Sequence, residues 1–89
     1  MASVFVFSGD KNSFPSAVFS TEGAAKDWIS RHCLTGTLTQ YPLDVSAYDW
    51  AIGRGYFEPK RDNQRSGHFI ANFSSAHLPH VHFEEGKAS

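Results

Sequence analysis

A single cysteine, Cys33, excludes an internal disulfide in this chain of 89 residues. The fold must therefore be held by packing and hydrogen bonds alone, as is usual in a reducing compartment. An excess of one charge is also missing. Eight Lys and Arg against nine Asp and Glu leave a formal charge of −1, which removes the electrostatic case for nucleic acid or an anionic membrane as partner. Residues 1–50 carry three basic and five acidic groups (−2), and residues 51–89 five basic and four acidic (+1). No apolar run approaches the length of a membrane span. The start, MASVFVFSGD, lacks the basic residues and long apolar stretch of a signal peptide. Cytoplasmic residence is the expectation.

Catalytic patterns are equally scarce. No serine stands in a Gly-flanked elbow, and neither Gly9 nor Gly53-Arg54-Gly55 leads from a strand into a helix as a phosphate-binding loop does. Asp10, Asp44 and Asp49 read as turn or cap residues. Cys33, placed on the inner stripe of a predicted helix, reads as an inert packing thiol. The expectation is a non-enzyme with no obligatory cofactor.

What the chain has is aromatic weight: 15% of residues are Phe, Trp or Tyr, in an apolar fraction of 40%. Rings bring large buried area on few rotatable bonds, and this offsets the small size of a single domain covering 1–89, with an ordered core at about 3–85. Ser3–Ser8 is β-branched and aromatic throughout, a strand covered on both faces or lying centrally. Gly9–Ser13 is a turn. Phe14–Ser20 is a second strand, pairing with the first as an antiparallel hairpin; Pro15 near its start indicates an edge position or the first residue of the ladder.

A helix follows, capped by Ser20 or Thr21 and running to about Cys33. Its inner stripe is Ala24, Ala25, Trp28, Ile29, His32 and Cys33, and Gly36 lies beyond its end. Thr37–Tyr41 is a third strand, stopped by Pro42. Asp44 or Ser46 caps a short helix from Ala47 to Gly53. Glu58–Arg65 reads as a solvated loop, Ser66–Phe73 as a third helix with Phe69, Ile70 and Phe73 inward, and His80–Glu84 as an alternating strand. Glu85–Ser89 reads as a polar tail. The order ββαβααβ predicts a two-layer α+β domain, an about four-stranded and mostly antiparallel sheet with helices on one face.

Two groups of residues could carry function. His80 and His82 share one face of a strand at about 6.6 Å along it. With His77 or Glu84 they form a candidate transition-metal site, weighed against a polar outer face with no ligand role. The second group surrounds the short helix: Asp44, Tyr48, Asp49, Trp50 and Arg54, followed by Glu58, Lys60 and Arg61 on the loop. The helix is too short for Tyr48, Trp50, Tyr56 and Phe57 all to face inward. Rings left outside would form a protein-contact patch; the alternative is that Trp50 is core and the tyrosines are half-buried. A homodimer through such a patch or through a free sheet edge is a further candidate.

The runs AVFSTEGAAKDWI, LTGTLTQYPLD, YDWAIGRGYFEPK and FIANFSSAHLPHVHFEEG resemble a family of small bacterial domains of unknown function. The likeness extends from about Val4 to Gly86 and brings no assigned activity, cofactor or catalytic residue. Compact proteins of this class are similar in kind to immunity proteins, which neutralise a toxin by covering it. The expectation is therefore a protein-binding domain whose partner is a toxin.

Overall fold

A computed structural model describes residues 2–11 and 14–89. The predicted turn at Gly9–Ser13 includes Asn12 and Ser13, which lie outside the described residues. Five strands, β1 (Ser3–Gly9), β2 (Ala17–Phe19), β3 (Gly36–Pro42), β4 (His80–Glu84) and β5 (Lys87–Ala88), form one open antiparallel sheet in the order β2-β1-β3-β4-β5. Three helices, α1 (Glu22–Arg31), α2 (Ala47–Gly53) and α3 (Gly67–Ala71), complete an α+β fold.

The fifth strand was not expected. Glu85 and Gly86 both have positive φ (50° and 85°), so the chain turns back and Lys87 pairs with Glu84. β2 is shorter than the sequence implies because Pro15 has no N–H to give a ladder. It occupies the sheet edge, the first of the two positions that Pro15 allowed.

Register places Phe7 opposite Leu38 and Gly36 opposite Phe83. Alternation then puts Phe7, Leu38 and Phe83 on one face. Helix α1 lays Ala25 and Ile29 on them, both without exposure. Trp28 meets Phe7 edge-on at 5.6 Å and lies 5.5 Å from Phe19. Thr21 is the cap, its hydroxyl accepting from the Ala24 N–H. The helix stops short of Cys33, whose φ of 51° is left-handed, and the Leu34 N–H returns to the Ile29 carbonyl at 3.0 Å. Ala24, His32 and Cys33 are exposed and do not belong to the inner stripe.

A second cluster stands beyond the first. Trp50 and Ala51 of α2 enclose Leu78, with Tyr41, Ala47, Phe57 and Phe73 around them. The helices thus divide between two centres, α1 over the sheet and α2 around Leu78, with Phe69 of α3 joining the rings of Tyr48, Phe57 and Phe73. The protein is elongated as a result, 45 × 28 × 19 Å with a radius of gyration of 14.5 Å, against about 12 Å for a spherical domain of this length. Phe69 of α3 and Phe73, two residues beyond its end, turn inward to the Tyr48 ring. Ile70, expected beside them, is exposed.

Candidate functional site

Helix α2 and its flanks hold most of the predicted contact residues. Ser46, not Asp44, caps the helix, its hydroxyl accepting from the Asp49 N–H at 2.9 Å. Asp44 sits two residues earlier in a left-handed turn (φ 65°), a conformation that aspartate tolerates better than most residues. That turn leaves its neighbours Leu43 and Val45 exposed. Asp49 lies in the first helical turn, where a carboxylate complements the dipole.

Tyr48 and Trp50 are both buried, each 7% exposed. Tyr48 packs against Phe57 and Phe73 at 5.8 and 5.5 Å. Of the rings weighed for an outer patch, Tyr56 is the one left outside, at 47% exposure. It stacks flat on His77 at 4.0 Å.

The loop bearing Glu58, Lys60 and Arg61 is more ordered than its composition implies. Asp62–Arg65 forms a 3-10 turn. The Gln64 side-chain carbonyl accepts from the backbone N–H of Lys60 (2.8 Å) and of Arg61 (3.3 Å), and the Arg65 guanidinium donates to the Pro59 carbonyl at 2.9 Å. Glu58, Lys60 and Arg61 remain exposed. Among the described residues both ion pairs, Lys26–Glu22 and Arg31–Asp27, lie on α1. The charges around α2 therefore face solvent, with no ionic partner among the described residues.

Beside α2 the surface opens into a cavity of about 250 Å³. Its walls are Trp50 and Arg54 on one side, Ser3, Gln40 and Pro42 from the sheet, and Leu78 with Pro79 beneath. Arg54 caps the C-terminus of α2, and its guanidinium lies over the Trp50 ring at 5.3 Å. Gln40 donates to the Ser3 hydroxyl at 2.8 Å. A second cavity, about 200 Å³, shares Gln40 and Pro79 with the first and extends toward Glu22 and His80.

The histidines separate into a pair and an outlier. His80 and His82 are exposed neighbours on β4, their rings 5.3 Å apart and nearly perpendicular. His80 Nδ1 donates to the Leu78 carbonyl at 2.8 Å, while His82 Nδ1 bonds the Thr37 hydroxyl at 3.1 Å. His77 is engaged with Tyr56. Among the described residues no three His, Cys, Asp or Glu side chains converge as a metal-binding group would.

Residues 4–89 match the family described as Domain of unknown function (DUF7710). The chain belongs to that family. No curated protein and no solved structure matches it. No helix among the described residues of this DUF7710 domain is long and apolar enough to cross a membrane.

Sequence reasoning missed Leu43, Val45 and Ile52 as surface residues, and Ser3 and Gln40 as cavity walls. The signal for the first pair was present: apolar residues flanking Asp44 in a turn have little core to reach. Nothing local signals Ser3 and Gln40, because their meeting depends on the β1–β3 register.

Proposed function

We propose that this DUF7710 chain is a cytoplasmic protein-binding domain that acts by occlusion, in the manner of an immunity protein covering a toxin. One observation carries the reading. Of the seven exposed large apolar side chains among the described residues, four fall within Leu43–Tyr56: Leu43, Val45, Ile52 and Tyr56. They are interleaved with Asp44, Asp49 and Arg54, and the hydrogen-bonded loop with Glu58, Lys60 and Arg61 follows directly. Apolar anchors rimmed by unpaired charge are the composition of a contact surface. Tyr48 and Trp50 serve it from beneath, as the packed support that fixes α2.

The test is co-expression with the product of the adjacent gene, followed by co-purification and a growth assay. Rescue of growth together with a stable complex, both lost in Ile52→Asp, supports occlusion of a toxin. Recovery of the protein alone, with no effect on growth, overturns it.

A second reading rests on His80. A carbonyl can only accept, so the bond to Leu78 takes the Nδ1 proton of His80, and in the neutral ring it is Nε2 that presents a lone pair to a metal. With His82 this makes a two-imidazole site for a transition metal, its other positions filled by water. Native mass spectrometry with nickel, copper and zinc at micromolar concentration tests it. Failure of all three to bind removes the idea.

A further inference from the structure

The cavity beside α2 contains one formal cation and no anion. Its charged wall is Arg54, whose guanidinium is held by the Trp50 ring and by no carboxylate among the described residues. A guanidinium carries five N–H donors in a planar fork that matches a carboxylate bidentately, and a cation–π contact with an aromatic ring does not consume those donors.

The rest of the lining adds donors of its own. The Ser3 hydroxyl accepts from Gln40 and so keeps its hydrogen to donate, and the Gln40 amide has a second N–H to offer. Trp50, Leu78, Pro42 and Pro79 supply apolar surface beside these groups, while Arg54 itself remains exposed. The cavity also borders the proposed contact surface, since Pro42 precedes Leu43 and Arg54 follows Ile52 by two residues.

We infer that this cavity receives the carboxylate of an acidic side chain presented by the protein partner. The fork of Arg54 clamps the carboxylate, Ser3 and Gln40 supply further donors, and the side chain's methylenes lie against Trp50 and Pro79. This inference rests on the protein-binding reading and names the chemistry that would recognise the partner.

The experiment is an NMR titration of the labelled protein with three probes: a blocked tetrapeptide carrying one glutamate, its glutamine counterpart, and free glutarate. The glutamate peptide is expected to shift the Trp50 indole and Gln40 side-chain amide signals. Its affinity should fall roughly tenfold in Arg54→Ala and less in Arg54→Lys. The unperturbed Phe7–Trp28 region reports that each variant is folded. Equal responses to the glutamate and glutamine peptides, or responses confined to other surfaces, overturn the inference. Glutarate binding as tightly as the peptide replaces the partner's side chain by a free carboxylic acid and also overturns it. The two proposals fail separately. Capture of the co-expressed partner that survives Arg54→Ala but not Ile52→Asp removes the carboxylate clamp alone. No capture by any version removes the protein-binding reading, whatever the peptide does.

Discussion

The Tyr48 hydroxyl donates to the Gln64 backbone carbonyl at 2.7 Å, and this one bond joins α2 to the polar loop. Gln64 in turn holds Lys60 and Arg61 through its side chain. The charged loop is therefore positioned by a buried ring in the helix before it. Tyr48→Phe keeps the packing and removes the bond, leaving the carbonyl without that donor. A loss of about 1 kcal/mol is expected, lowering the melting temperature by about 5 °C, together with faster amide exchange at Lys60 and Arg61. Unchanged exchange there would show that the loop holds itself.

Each cluster contains one of the two tryptophans, Trp28 in the sheet core and Trp50 around Leu78. Leu78→Ala should cost about 2–5 kcal/mol, because a side chain 1% exposed is replaced by a void. The loss is expected to fall first on α2 and α3, as a local opening. In a Trp28→Phe background, denaturation followed through Trp50 should then have a lower midpoint than denaturation followed through Trp28 in a Trp50→Phe background. Coincident midpoints would mean that the clusters unfold as one unit.

Gly36 is a position with no room. A Cβ there would meet the Ser8 carbonyl oxygen and come within 2.7 Å of the Phe7 ring. One of those neighbours is backbone in the central strand pair and the other is core, so neither yields easily. Gly36→Ala is expected to destabilise by about 1–3 kcal/mol, measured by urea denaturation. Gly9, opposite it in the register, meets nothing within 4 Å and should accept alanine far better.

Cys33 ends α1 in a left-handed conformation, φ 51°, which costs a residue with a Cβ about 1–2 kcal/mol. Cys33→Gly should be more stable than Cys33→Ala by about 1 kcal/mol, in line with that penalty. Equal stabilities would show that the turn relaxes when the thiol is removed.

Local signals in the sequence carried the architecture a long way. Thr21, Ser46 and Ser66 are hydroxyl caps at the starts of three helices, each accepting from an N–H three residues on. The alternation in His80–Glu84 put Val81 and Phe83 on the inner face of β4. What failed was long-range or marginal. Gly36 drew attention as the helix stop, but the left-handed turn fell on Cys33 and left Gly36 inside a strand against Phe7. The loop after Phe57 read as solvated because its order comes from Gln64 and Arg65 bonding to backbone, which composition does not reveal. The cavity was illegible for the same reason: Ser3 and Gln40 are 37 residues apart and meet through register alone.

The register also decides where the two ends of the chain emerge. Ser3 lies against Pro42, while Ala88 is linked through Phe83 to Gly36 and Gly9, at the other end of the same strands. Six residue steps of about 3.4 Å separate these ends, roughly 20 Å. Ser3 lines the mouth of the Arg54 cavity at one of these ends, and Ala88 lies at the other. An affinity handle or an immobilising tether should go on the far side, where it leaves that mouth free.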